Sequence, residues 1–296
     1  MGTINMLYKM MLSQDTKRFA VIQEEAGVKV DRLIPYMDDG HPLHTLTVYR
    51  AEDAVGPQPV IVEVHGGSWI YGDSELNRYS NHWLAKRGYT VFALGYRVCP
   101  EVNYAGGLED IFHAFQWVYE HGAEYGGDMR NVYLCGDSSG GHLSSLAVEC
   151  MADPDKAAAF GGLKTDLKFN AVNFTCGAFY LGDMCDIPCA RAYFGKIIGK
   201  GWKKSKYYKL ANFELKDGLQ VPPMMFSSCY KDFLKKYVLQ AYDTVSKQGY
   251  TCKLVFRGEK TDNELEHVYN VHWPDWPESV ETNQAMLDWF AQYRAE

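Results

Sequence analysis

The residues with the strongest claim to chemistry are Gly136-Asp137-Ser138-Ser139-Gly140, a G-x-S-x-G pattern. It stands between an apolar run, NVYLCGDS (131–138), and an amphipathic stretch with Leu143, Leu146, Ala147 and Cys150 on one face. A serine hydroxyl is a poor nucleophile until a base takes its proton. It also needs presentation, and glycines on both sides let a strand turn sharply into a helix and lift the hydroxyl above a sheet. Ser138 is the candidate nucleophile. Ser139 is a rival, but the frame around it puts Asp137 where its first glycine belongs. An isolated pentapeptide of this kind is an ordinary glycine-rich loop; the strand–helix junction gives this one its weight.

About seventy residues earlier, the apolar run PVIVEVHGG (59–67) ends in His65-Gly66-Gly67-Ser68-Trp69. The N–H groups of Gly66 and Gly67, joined by that of Ser139 at the start of the following helix, are candidate oxyanion-hole donors. Such donors stabilise the charge that develops on a carbonyl oxygen under attack, and losing one typically costs ~3–4 kcal/mol. Trp69, beside them, is expected to narrow an acyl pocket and favour short acyl groups.

HGGSW, GYRVCPE (95–101), GGLEDIFHAFQWV (106–118) and GDSSGGHL (136–143) follow one another in this order. Together they resemble the hormone-sensitive-lipase-like branch of the α/β-hydrolase carboxylesterases, from about residue 28 to the C-terminus. That branch carries an HGG(G) loop, a DYR-x-x-PE-like segment, an ALED helix start and a GDSAGG elbow. Two departures are visible: Ser68 replaces the third glycine, and Gly95 replaces the aspartate before Tyr96-Arg97. Neither removes a catalytic group. Trp69 and His142 are also similar to arylformamidases of the same fold. The resemblance implies a serine hydrolase acting on small-molecule esters, with no cofactor and no metal.

In this fold the chain order is serine, acid, histidine. Asp232, in Tyr230-Lys231-Asp232-Phe233-Leu234 after the strand PMMFSSCY (223–230), matches the family's Asp-Pro-Leu-like position. It would hold an imidazole in the productive tautomer; a helix N-cap is the alternative role. Asp243 and Asp262 are weaker candidates. For the base, His267 and His272 both lie at a suitable distance in sequence. Glu266-His267-Val268-Tyr269 resembles the family's H-x-F/Y segment, which selects His267 and leaves His272 as a wall or surface residue. Ser228-Cys229-Tyr230-Lys231 formally matches S-x-x-K but begins inside a strand, which makes it a coincidence.

These groups need a scaffold, and the hydropathy pattern describes one. Short apolar runs alternate with amphipathic stretches, the signature of a mostly parallel sheet covered by helices on both faces. The expected α/β-hydrolase sheet has eight strands, opening with a hairpin of 28–37 and 44–51 around Asp38-Asp39-Gly40. Its helices carry apolar faces marked by Leu108, Ile111, Phe112, Phe115, Val118 and Tyr119, and near the C-terminus by Val280, Met286, Leu287 and Phe290. The chain reads as one domain, 1–296, with an N-terminal segment 1–27 and a small cap insertion at about 183–218. From Arg191 to Lys209 the cap holds seven basic residues and no acidic one. A solvated face is the default for such a stretch; contact with an anionic or sugar substrate is the alternative. Trp273 and Trp276 could supply stacking surfaces near the mouth of the site.

Composition removes other classes. A net charge of −7 argues against a nucleic-acid partner, which needs a basic face. No run approaches the ~20 apolar residues of a membrane span, and the N-terminus lacks the apolar core of a signal peptide. The eight cysteines contain no C-x-x-C, the closest pair being Cys185 and Cys189. Buried thiols in a reducing cytoplasm are therefore expected. The leading function is a carboxylesterase for short, acetyl-like acyl esters, sugar and aromatic esters among them. An arylformamidase-like amide hydrolase and a non-catalytic binder on the same fold are the alternatives.

Overall fold

The computed structural model describes residues 3–188, 190–259 and 265–296. Cys189 and the weaker acid candidate Asp262 lie outside them.

Three strands, β3 (Gln58–Val64), β4 (Thr90–Leu94) and β5 (Gly127–Asp137), form the centre of the sheet. Their residues alternate between two cores. Val60, Val62, Phe92, Leu94, Val132 and Leu134 face one side, while Ile61, Val91, Ala93 and Tyr133 face the other. This is the period-2 consequence of strand geometry, with apolar residues on both faces because helices cover both. On one side lie α3 (Tyr104–His121) and α4 (Ser138–Ala152); on the other lie α2 (Arg78–Lys86) and the C-terminal α11 (Pro277–Ala291).

The sheet is completed by β1 (Val28–Pro35), β2 (Thr45–Ala51), β6 (Ala171–Thr175), β7 (Met224–Cys229) and β8 (Cys252–Arg257). Its order is β1-β2-β4-β3-β5-β6-β7-β8. The expected hairpin is present, and β2 runs antiparallel to both its neighbours, β1 and β4. The pairs from β4 through β3 to β8 are all parallel. All their carboxyl ends therefore share one edge, where ligands bind in open α/β sheets.

Several local expectations change. The N-terminal segment contains a helix, α1 (Thr3–Phe19), and Arg18 at its end is only 6% exposed, paired with Asp15. The short helix α5 (Pro154–Ala159) was also not anticipated; Asp153 caps it by accepting the N–H of Asp155. Ahead of α2, Ser74 is tied to β2 through a 2.9 Å hydrogen bond between its hydroxyl and that of Thr47. Tyr119 is 49% exposed and Val280 is also exposed, so neither belongs to the apolar face assigned to it. Both sit at the edge of the helical stripe, where a period of 3.6 is least decisive.

The cap expected at 183–218 is built from short helices: α6 (Leu181–Met184), α7 (Arg191–Ile198) and α8 (Lys206–Leu210). The seven basic residues from Arg191 to Lys209 are all exposed, whereas Tyr193, Phe194, Trp202, Tyr207 and Tyr208 are half-buried against the body. The remaining helices are α9 (Lys235–Lys247) and α10 (Tyr269–His272). Among the described residues, no helix is long and apolar enough to cross a membrane.

Candidate active site

β5 passes into α4 without a linker, and Ser138 makes the turn with φ +52°. Left-handed backbone at a non-glycine residue carries strain, which native structures keep chiefly where function needs it. The tightness behind the turn explains the second glycine of the motif. A Cβ on Gly140 would lie 2.1 Å from the carbonyl oxygen of Val64. Ser138 Oγ–H donates to His267 Nε2 at 2.9 Å, and His267 Nδ1–H donates to Asp232 Oδ1 at 2.7 Å. The structure thus brings together Ser138, singled out by its motif, and Asp232 and His267, selected by chain order and the family resemblance, from the ends of β5, β7 and β8.

Asp232 is 1% exposed. Burial alone would raise its carboxyl, but hydrogen bonds from His267, the Leu234 N–H and Ser228 outweigh it and hold it below the usual carboxylate value. The Leu234 N–H donates to Oδ1 at 2.9 Å and Ser228 Oγ–H to Oδ2 at 2.7 Å. Ser228, dismissed with the S-x-x-K match, is therefore a partner of the acid; only the pairing of β7 with its own exit loop reveals this. Asp243 is on the outer face of α9, paired with Lys247. His272, on α10, makes no part of the chain from Ser138 to Asp232.

Ser139 is fully buried and its Oγ accepts the N–H of Trp69 at 3.2 Å, which removes it as a nucleophile. Its own N–H stands in the first turn of α4, where helix N–H groups have no intrahelical partner.

The loop after β3 is held on every side. A Cβ on Gly67 (φ +110°) would lie 1.9 Å from the carbonyl oxygen of Tyr71, so only glycine fits. Ser68 and Trp69 follow in left-handed conformation, φ +55° and +60°. The Tyr193 hydroxyl, from α7 of the cap, donates to the Ser68 carbonyl at 2.6 Å, and the Cys99 N–H donates to that of Trp69 at 2.7 Å. His65 stacks on Tyr96 with centroids 4.3 Å apart, and burial lowers its pKa to about 4.

Two expectations about this loop are corrected. The Gly66 N–H donates to Asp137 Oδ1 at 2.9 Å, so it ties the loop to the elbow and does not point at a substrate oxygen. Asn77 Nδ2 donates to the same Oδ1 at 2.7 Å and to Glu63 Oε1 at 2.8 Å. Burial pushes the Asp137 carboxyl up to about 6 and that of Glu63 up to about 8, the latter helped by the charge of Asp137. Trp69 is 4% exposed, wedged edge-on between His142 and Phe194. Its indole N–H donates to His142 Nδ1 at 3.1 Å, while His142 Nε2–H donates to the Ala211 carbonyl at 2.8 Å. Trp69 and His142 thus join body to cap. Trp273 stacks on Trp276 at 5.3 Å, half-buried. Among the described residues, one group has metal-ligand chemistry: Cys176, Asp232 and His267, with donor atoms within 4.8 Å of one another.

Residues 46–212 match the BD-FAE family. A probable isoprenylcysteine alpha-carbonyl methylesterase of Arabidopsis thaliana is 33% identical over 119 residues, 40% of this chain and 25% of that protein. Esterase LipC of Mycobacterium tuberculosis is 34% identical over 125 residues, 42% of this chain and 30% of that protein. The matches thus span under a third of those relatives' length. Esterase B of Lactobacillus rhamnosis superposes with a TM-score of 0.92 at 28% identity, over 98% of this chain and 94% of that one. An esterase of Pyrobaculum calidifontis, at 20% identity and a TM-score of 0.75 over 99% of this chain and 94% of that one, shares the fold. The match over more than half of the chain, the ordered motifs and the eight-stranded sheet agree: the chain belongs to the BD-FAE family, in the hormone-sensitive-lipase-like branch of the α/β-hydrolases.

Proposed function

We propose that the protein is a serine carboxylesterase that hydrolyses short-chain acyl esters through an acyl-enzyme. The observation that carries this reading is the continuous chain from Ser138 Oγ through His267 to Asp232. Ser138 Oγ attacks the ester carbonyl carbon as its proton passes to His267 Nε2. The carbonyl electron pair moves onto oxygen, where the N–H groups of Gly67 and Ser139 receive it. Collapse expels the alkoxide, which takes the proton from Nε2 and departs as the alcohol. Water then gives a proton to Nε2 and attacks acyl-Ser138. The second collapse releases the carboxylic acid and restores the serine hydroxyl.

Asp232 keeps its charge throughout, steadying the imidazolium. Its depressed pKa supports that role. A structure of esterase B is described as inhibited by a C4-C4 SN3 tributyrin phosphonate, which supports short acyl groups here. Retention of all three residues argues against a binder without turnover. Cys99, Cys135, Cys150, Cys176 and Cys185 are buried free thiols, and a cytoplasmic setting suits them.

A fluorophosphonate probe should label the wild type and leave Ser138→Ala unlabelled; equal labelling would refute the assignment. Turnover of p-nitrophenyl esters should fall steeply from butyryl to octanoyl and longer chains. Faster cleavage of N-formyl anilides than of any ester would favour the amide-hydrolase reading instead.

A further inference from the structure

We propose that Phe233 is a specificity-determining residue that receives the alcohol part of the ester, selecting aromatic over small aliphatic alcohols. The inference rests on the esterase reading above and names a substrate preference for the same site.

Phe233 occupies the loop between β7 and α9, beside the acid. Its neighbours Asp232 and Leu234 are both buried, so the chain goes in, out and in again. Phe233 is the outward residue, 70% exposed, yet its ring lies 4.3 Å from the His267 imidazole at an interplanar angle of 42°. A single exposed aromatic on a protein surface is unremarkable. One laid against the catalytic base is different, because the ring then borders the atom that handles the leaving group.

Both imidazole nitrogens are already assigned, Nδ1 to Asp232 and Nε2 to Ser138. During reaction the leaving oxygen takes its proton from Nε2, and the Phe233 ring lies against that same imidazole, where an alcohol group leaving over it would meet an aromatic face. Lys235, two residues on, lies over Tyr230, with Nζ 3.8 Å from that ring centroid. Aromatic pairs prefer offset or edge-to-face contact with centroids ~4.5–7 Å apart and gain from it beyond simple burial. A benzyl or similar planar alcohol therefore suits the platform, whereas a methyl or ethyl group would not reach across it.

The test compares acetates that differ only in the alcohol: ethyl, cyclohexylmethyl and benzyl acetate, each with wild type, Phe233→Ala and Phe233→Tyr. The ratio of kcat/KM for benzyl to ethyl acetate should fall about fivefold to tenfold in Phe233→Ala and recover in Phe233→Tyr, the loss for cyclohexylmethyl being smaller. An equal loss on all three acetates would overturn the inference, since the ring would then merely support His267; an unchanged ratio would do the same. Fluorophosphonate labelling separates the two levels of the argument. A labelled, active enzyme with an unmoved ratio defeats the role of Phe233 alone, whereas an unlabelled, inactive wild type defeats the esterase reading and this inference together.

Discussion

At the scale of the residue, Ser138, His267 and Asp232 act as a unit with unequal members. Replacing Ser138 with alanine removes the atom that forms the acyl-enzyme, so turnover should drop at least about a thousandfold. The serine is buried, but among the described residues its side chain bonds only His267, so Tm should move by no more than about 2 °C. Turnover retained by this variant would remove Ser138 from the mechanism. His267→Ala should behave likewise while His272→Ala loses little; reversed phenotypes would exchange the two histidines. Ser228→Ala tests the acid's support. A hydrogen bond to a charged group is worth about 1.5–3 kcal/mol, so kcat should fall roughly tenfold or more. An unaltered kcat would show that Leu234 N–H and His267 suffice to hold Asp232.

At the scale of the element, the oxyanion loop is a short segment clamped between the elbow and the cap. The hydroxyl of Tyr193 on α7 reaches the Ser68 carbonyl, so Tyr193→Phe releases one clamp at a cost of about 1 kcal/mol. If that bond positions the N–H donors, kcat should fall about fivefold with KM nearly constant, because the donors matter most in the transition state. A change in Tm with unaltered kinetics would make Tyr193 a structural contact only. The other clamp contains Glu63 on β3, whose carboxyl is raised to about 8 mainly by burial. A raised carboxyl binds its proton more tightly in the folded state than in the unfolded chain. The stability it contributes is full below the unfolded value of ~4.3 and is lost as pH rises through about 8. Glu63→Gln removes that titration. Between about pH 5 and pH 9 the wild-type Tm should therefore fall further than that of the variant, as read by calorimetry; parallel curves would show that Glu63 does not carry the loss.

At the scale of the whole molecule, charge is segregated: the cap is basic and the chain as a whole is acidic. The chain carries −7 overall, whereas the cap's lysines are exposed, Lys203 lying over the Trp202 ring and Lys206 over that of Tyr207. Reversing Lys203 and Lys204 to glutamate should leave kcat/KM for neutral esters unaltered. Salt screens over ~8 Å at physiological ionic strength, and neutral and anionic esters should show the same salt response. A KM that rises with salt for anionic esters alone would instead bring the basic face into the site.

The boundary between what the sequence determined and what tertiary structure decided follows from the range of the forces involved. G-x-S-x-G, HGG and the alternation of apolar runs are local: a sharp turn needs glycine within a few residues, and a buried strand needs consecutive apolar ones. Hence the elbow with Ser138 and the eight-stranded, mostly parallel sheet were legible; chain order left Asp232, Asp243 and Asp262 for the acid and His267 and His272 for the base, and the family resemblance chose Asp232 and His267. What could not be read were pairings between segments distant along the chain. Gly66 was expected to serve as an oxyanion donor until Asp137, brought beside it by the parallel pairing of β3 and β5, took its N–H. Trp69 was expected at the acyl pocket until His142 and Phe194 closed around it. Ser228 and Phe233 took their places only once β7 and its exit loop were set against His267. A hydrogen bond or a ring contact needs atoms within a few ångströms, and only the folded sheet fixes which atoms those are.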